Sequence, residues 1–186
     1  GNWKVNPGDG AFYGPKIDIK VLDAMGRTHQ TATIQLDFQL PIRFDLSYKT
    51  ESGSMERPVM VHRAILGSVE RSFAILLEHY KGKWPFWLSP RQAIVIPVNA
   101  TCMEYAQKVK QLLWDNYFQV DVDDSGRTLN KMVREAQLAQ YNYILVVGNK
   151  EVENNQVAIR SRSNEMVGVK TLEECVAMFK DLEEKH

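Results

Sequence analysis

Pro58-Val-Met-Val-His62-Arg-Ala-Ile-Leu-Gly67-Ser-Val-Glu-Arg71-Ser-Phe-Ala-Ile-Leu-Leu77 runs an apolar strand through a glycine straight into an amphipathic helix. Ser68 is placed to cap that helix, since its side-chain oxygen can take an orphan amide of the first turn. Val69, Phe73, Leu76, Leu77 and Tyr80 recur at helical spacing, which predicts one core-facing stripe. Arg71 falls in the first turn, where the helix dipole disfavours a cation. A guanidinium there either grips a phosphate beside the helix start or pairs with a neighbouring carboxylate. His62, alone in an apolar strand, reads first as a hydrogen-bonded core residue.

Upstream, Pro7-Gly-Asp-Gly-Ala-Phe-Tyr13-Gly-Pro-Lys16 is rich in glycine and proline. It is a turn whose backbone can closely approach something, with Tyr13 and Lys16 as its binding side chains. Residues 16–22 and 28–38 alternate and predict an antiparallel hairpin closed by Asp23-Ala-Met-Gly26. The second strand presents Ala32, Ile34, Leu36 and Phe38 on one face and Thr31, Thr33, Gln35 and Asp37 on the other. The polar face is either the floor of a pocket or an ordinary solvated surface. Gln30 has the wrong parity to join Gln35 unless a bulge intervenes. Pro41 ends the strand, and residues 48–56 form a polar hairpin tip.

Downstream, Lys81-Gly-Lys-Trp-Pro85-Phe-Trp-Leu-Ser-Pro90 is stiffened by prolines and reads as a short, packed linker. Beyond it strands and helices alternate. Residues 93–98, 120–122 and 143–147 are short apolar strands of the parallel, buried kind. Residues 101–116 form a helix opened by a Thr101–Glu104 capping box, and 128–140 form another with Leu129, Met132, Val133 and Ala136 as its stripe. Residues 156–162 and 165–170 pair as a hairpin, and a Thr171–Glu174 capping box opens a last helix. The order β-α-β-α-β-β-β-α predicts a compact α/β domain of roughly 100 residues. Lys131 and Arg134 lie one turn apart while Arg160 and Arg162 share a strand face, so four cations line either a nucleic-acid surface or a solvated one. Asn130 and Glu151 can add base-edge hydrogen bonds.

The 186 residues are 44% hydrophobic and 25% charged, with a net charge of zero. Residues 1–84 hold 11 basic and 9 acidic side chains, so no polycationic half exists and any nucleic-acid contact must be a local patch. Only Cys102 and Cys175 occur, far apart, which excludes a disulfide framework and a CxxC metal site and fits a reducing, cytoplasmic setting. No apolar run approaches the ~20 residues of a membrane span. The sequence opens without Met, as a fragment or a processed chain does.

The stretch from His62 to Arg71 resembles the third signature motif of the class II aminoacyl-tRNA synthetases. Gly10-Ala-Phe-Tyr-Gly-Pro-Lys16, Thr33-Ile-Gln-Leu-Asp-Phe38 and Trp84-Pro-Phe-Trp-Leu-Ser-Pro90 are similar to its threonyl branch, in eukaryotic cytosolic wording. The resemblance implies that residues 1–84 are the C-terminal part of an antiparallel α+β catalytic sheet. Residues 85–92 would then be a linker, and 93–186 an α/β anticodon-binding domain with a mixed sheet. The implied reaction joins threonine to ATP, with Mg2+, and then passes threonyl to its tRNA. By position, Arg71, Gln30, Thr33 and Ser68 would bind ATP, and Tyr13 and Gln35 would contact threonine or its adenylate. Lys16 would sit near the tRNA acceptor end. His62 would be one of three protein ligands to zinc, which overrides its reading as a core residue. Glu151 and Arg160, with Asn130, Lys131 and Arg134, would contact the anticodon.

Two positions depart from the pattern: Thr31 stands where Cys is expected, and the 123–128 loop differs from bacterial forms. The dimer motif, a second ATP arginine, the other zinc ligands and any editing domain would precede residue 1. The chain alone is therefore expected to be inactive, as part of a homodimeric enzyme. The alternatives are a non-catalytic tRNA-binding module and a small ATP-dependent ligase acting on another acceptor.

Overall fold

In the computed structural model, residues 3–185 are described, and the chain divides into two compact units, one running to His79 and the other starting at Tyr80. The first is built on a three-stranded antiparallel sheet of β1 (Lys16–Leu22), β2 (Thr28–Asp37) and β5 (Met60–Ala64), in the order β1-β2-β5. Asp23 closes the first hairpin. Its carboxylate, 1% exposed, accepts the amides of Met25 and Arg27 and the Arg27 Nε, and lies 2.8 Å from His29 Nε2. The His29 contact and these amides together hold the Asp23 carboxyl far below its ordinary range. A short helix α1 (Leu40–Arg43), with Pro41 in its first turn, follows β2, and β3 (Tyr48–Lys49) pairs with β4 (Met55–Glu56) as the polar hairpin. Helix α2 (Val69–Tyr80) completes the unit.

Two sequence expectations change here. In β2 the register slips beside Ile19, which pairs with Ala32 while Lys20 pairs with Gln30. Thr31 is thus the extra residue of a bulge, and Gln30 replaces it on the face of Thr33 and Gln35. The stripe of α2 is the second: Val69 is 63% and Phe73 56% exposed, and only Ser72 of the helix is buried. One three-stranded sheet and α2 do not enclose a core, and among the described residues the buried hydrophobic side chains, Pro41 apart, lie from Phe86 onward.

The second unit is a five-stranded mixed sheet, order β10-β9-β8-β6-β7. β6 (Ala93–Pro97) runs parallel to both β7 (Val120–Val122) and β8 (Tyr143–Val147), whereas β9 (Gln156–Ser161) and β10 (Met166–Thr171) add antiparallel. One sheet face, with Val95, Leu145, Val147, Val157 and Ile159, packs with α3 (Met103–Asp115) and α6 (Leu172–Glu184). Phe86 joins this core, its ring 4.8 Å from Phe179. The other face, with Ile94, Ile96, Ile144 and Val146, meets Met132, Val133 and Ala136 of α4 (Leu129–Leu138). An antiparallel sheet followed by a mixed-sheet α/β unit is the architecture the sequence implies. The Thr171–Glu174 capping box forms as expected. At the start of α3 the cap is Asn99, which accepts the Cys102 amide at the head of a 3-10 turn, and Thr101 donates to Asn99. Helix α5 (Asn149–Asn154) was not expected, because six polar-rich residues carry no periodic signal.

Candidate functional site

The polar face of the first sheet gathers most of the residues singled out in that half. Its front edge is set by the glycine-rich turn, which runs alongside β2: Leu36 N donates to Pro15 O and Phe38 N to Tyr13 O, both at 3.0 Å. A Cβ on Gly14 would overlap the Leu36 carbonyl, so the close approach allowed by glycine is to β2 itself. This pairing sets Tyr13 over β2, and its hydroxyl donates to Gln35 Oε1 at 2.7 Å. Tyr13, Gln35, Asp37, Arg43 and His62 line a cleft of about 660 Å³.

His62 sits opposite Gln35 in β5 and is 43% exposed, so it is hydrogen-bonded but outside any core. Its Nε2 lies 2.8 Å from Asp37 Oδ2. Asp37 is 1% exposed, and its Oδ1 accepts the amides of Gln39 and Leu40 at the start of α1. Burial pushes the Asp37 carboxyl up, yet the His62 bond and the two amides outweigh it and keep it below the ordinary range. An ionised carboxylate only accepts, so Nε2 carries a proton, and in a neutral ring the lone pair then falls on Nδ1. Nδ1 has no partner among the described residues. A ligating histidine has this arrangement, with a carboxylate fixing the far nitrogen. Among the described residues no three His, Cys, Asp or Glu side chains converge to hold a metal.

A second array lies further along the sheet. Lys16 Nζ pairs with Asp18 Oδ2 at 2.8 Å. Thr33 donates to Asp18 Oδ1 at 2.7 Å, and Gln30 Nε2 reaches both Asp18 Oδ1 and Thr33 Oγ1. The hydrogen bonds from Lys16 and Thr33 hold the Asp18 carboxyl below its usual range. The Thr31 bulge creates this group, and the start of α2 abuts it. Gly67 has φ +63°, and a Cβ there would stand 2.7 Å from Thr31 O. Ser68 Oγ accepts the Arg71 amide, as a cap does. Arg71 is exposed, and its guanidinium meets no carboxylate among the described residues. Asp18 and Asp37 escaped the sequence reading. Asp37 showed only as part of a polar face, and no local signal marks either as a hub.

In the second unit Arg160 pairs with Ile144 and Met166, which puts it on the sheet face that α4 covers only in part. Its Nη1 donates to Asn164. Asn130, Lys131 and Arg134 are exposed on α4. Glu151 directs Oε2 to the Gly148 amide at 2.9 Å, leaving one carboxylate oxygen free to accept. Arg162 does not join the cationic surface. Its Nη2 donates to Trp84 O at 2.6 Å inside a separate cleft of about 520 Å³, and burial lowers its pKa. Met166 and Val169, 58% and 53% exposed, flank Arg160 and add apolar area that the sequence did not flag.

Comparison with known proteins finds two family models in tandem: the tRNA synthetase class II core domain (G, H, P, S and T) over residues 3–80, and the anticodon binding domain over 92–182. Threonine–tRNA ligase 1, cytoplasmic, of Rattus norvegicus is 62% identical across 98% of this chain and 26% of its own length. The Homo sapiens protein of the same description is 61% identical across 98% of this chain and 25% of its own length. The chain thus spans about a quarter of the length of these curated relatives. The crystal structure of the RNA binding domain of threonyl-tRNA synthetase from Cryptosporidium parvum superposes with a TM-score of 0.83 at 52% identity, covering 97% of this chain and 46% of that one.

Proposed function

The chain belongs to the threonyl branch of the class II aminoacyl-tRNA synthetases, and from that premise we propose that it serves a cytoplasmic threonine–tRNA ligase. In this reading residues 1–84 complete the catalytic domain, 85–92 join the halves, and 93–186 bind the anticodon. The full-length, homodimeric enzyme would form threonyl adenylate and pyrophosphate from threonine and ATP with Mg2+, then load threonine tRNA. One observation carries the proposal: Lys16, Gln30, Thr33, Gln35 and His62 share one polar sheet face, with the Arg71 turn abutting it through Gly67.

Arg71, free of internal carboxylates, is available to the ATP phosphates beside the helix start. Gln30, Thr33 and Ser68 offer polar groups to the rest of the nucleotide. Tyr13 and Gln35, fixed to each other, are set to orient threonine or its adenylate. Lys16, held by Asp18, would meet the acceptor end. His62 would hold zinc through Nδ1, with the remaining ligands coming from outside these residues. Bound zinc would chelate the amino and hydroxyl groups of threonine together, so isosteric valine is rejected while serine is not. Glu151, Arg160, Asn130, Lys131 and Arg134 would contact the anticodon loop.

The test is threonine-dependent exchange of pyrophosphate into ATP. The full-length polypeptide is expected to catalyse it, Arg71→Ala is expected to lower kcat/KM for ATP by roughly a hundredfold, and residues 1–186 alone are expected to be silent. No exchange by the full-length polypeptide would leave the other reading, a non-catalytic tRNA-binding module, which the complete core of the second unit favours.

A further inference from the structure

The Asp18 array has a direction. Asp18 Oδ1, Thr33 Oγ1 and Gln30 Nε2 form a closed triangle with sides of 2.7, 2.7 and 2.8 Å, and Lys16 anchors the other carboxylate oxygen. A carboxylate held by a lysine accepts and does not donate. Thr33 therefore gives its only proton to Asp18, and Gln30 must turn its amide nitrogen toward the pair. The Gln30 carbonyl, Oε1, is forced to the opposite side, where it has no partner among the described residues and its side chain is exposed. Without Asp18 either orientation of the amide would serve equally. The bulge at Thr31 is what makes the array possible, since regular pairing would send Gln30 to the far face.

We propose that Asp18 is a positioning residue that sets the hydrogen-bond polarity of Gln30, so that Gln30 presents an acceptor to a donor group of the nucleotide. The inference rests on the functional reading above, which brings ATP to this face. Two kinds of donor on ATP fit an amide oxygen: a ribose hydroxyl and the 6-amino group of adenine. Asp18→Asn reverses the arrangement. Its new amide oxygen stays on the Lys16 ammonium, its NH2 turns to Gln30, and Gln30 responds by turning its oxygen inward and its NH2 to the nucleotide.

The experiment measures KM in pyrophosphate exchange by the full-length enzyme for ATP, 2′-deoxy-ATP, 3′-deoxy-ATP and the purine analogue lacking the 6-amino group. One of the three analogues is expected to be disfavoured about five- to tenfold, the discrimination that one neutral hydrogen bond supplies. Its identity tells ribose from base. That discrimination is expected to vanish in Asp18→Asn and in Gln30→Ala, to fall no further when the two are combined, and to persist in Asp18→Glu, with KM for threonine as the control. Discrimination retained in Asp18→Asn, or absent from the unmodified enzyme, overturns the proposal. If Asp18→Asn does not fold, Gln30→Ala decides, since its side chain is exposed, and discrimination that survives there refutes the assignment. An unmodified enzyme with no threonine-dependent exchange would instead overturn the functional reading, and this inference with it.

Discussion

Asp37 and His62 lie 25 positions apart, and only the pairing of β2 with β5 brings them within 2.8 Å. Spacing along the chain therefore revealed His62 as an oddity in an apolar strand but not its partner. In Asp37→Asn the Gln39 and Leu40 amides keep the one remaining oxygen and an NH2 faces His62, so the Nε2–H tautomer is no longer fixed and the ring can turn either nitrogen to the cleft. Zinc affinity of the full-length enzyme is expected to fall roughly 10- to 100-fold, read as metal retained after dialysis against graded chelator, and unchanged retention would refute the role. A second residue acts through burial. Cys175 lies in the core of the second unit, and desolvation pushes its thiol up to about 12. The unfolded thiol ionises near pH 8.5, so its folded-state pKa is raised. The contribution is intact below about 8.5 and is lost as pH climbs toward 12, at about 1.4 kcal/mol per pH unit. Urea midpoints of the chain between pH 8 and 10 are expected to fall, and the fall is expected to flatten in Cys175→Ala. Buried Tyr105, likewise pushed up to about 12, has an unfolded value near 10 and so adds to the fall only at the top of that window.

At the scale of elements, the legible parts were those whose signal is complete within one segment. The Thr171–Glu174 box, the stripe of α4 and the buried parallel strands needed nothing from elsewhere. The bulge in β2 did: the sequence could say only that Gln30 required one, whereas the reason it sits at Thr31 lies in another segment. Gly67, at φ +63°, brings its backbone so close to Thr31 O that any Cβ would stand 2.7 Å away. The glycine that begins α2 and the bulge that aims Gln30 are thus one packing unit. Gly67→Ala is expected to cost about 1–2 kcal/mol for the left-handed backbone alone. It is also expected to raise KM for ATP in the full-length enzyme without raising KM for threonine, because Tyr13 and Gln35 lie at the other end of β2. Equal rises in both would mean that the contact is merely structural. The cap of α3 fell to Asn99 for a related reason: a 3-10 turn ahead of the helix brings the Cys102 amide within reach of Asn99.

At the scale of the whole molecule, the two units are unlike in what they bury. From Phe86 onward the sheet is covered on both faces, with Val95, Ile96, Leu113, Phe118, Leu145 and Phe179 at 1% exposure or less. The first unit instead leaves Ile17, Ile19 and Val61 on its sheet and Val69 and Phe73 on α2 more than half exposed, and among its described residues the buried ones are the polar Asp23, Asp37 and Ser72 together with Pro41. The alternating strands and the helical stripe announced an apolar face correctly, but periodicity says only that a face must be covered and not which segment covers it. This predicts opposite behaviour for the two pieces. Residues 80–186 alone are expected to unfold in one cooperative urea transition, by far-UV circular dichroism and by the fluorescence of Trp84, Trp87 and Trp114 alike. Residues 1–79 alone have less apolar burial than the conformational entropy of some 80 residues requires. They are expected to bind a hydrophobic dye such as ANS and to lose structure without a sharp midpoint. A cooperative transition in the first piece, with a denaturant slope proper to its length, would mean that its exposed stripe finds cover within the unit itself.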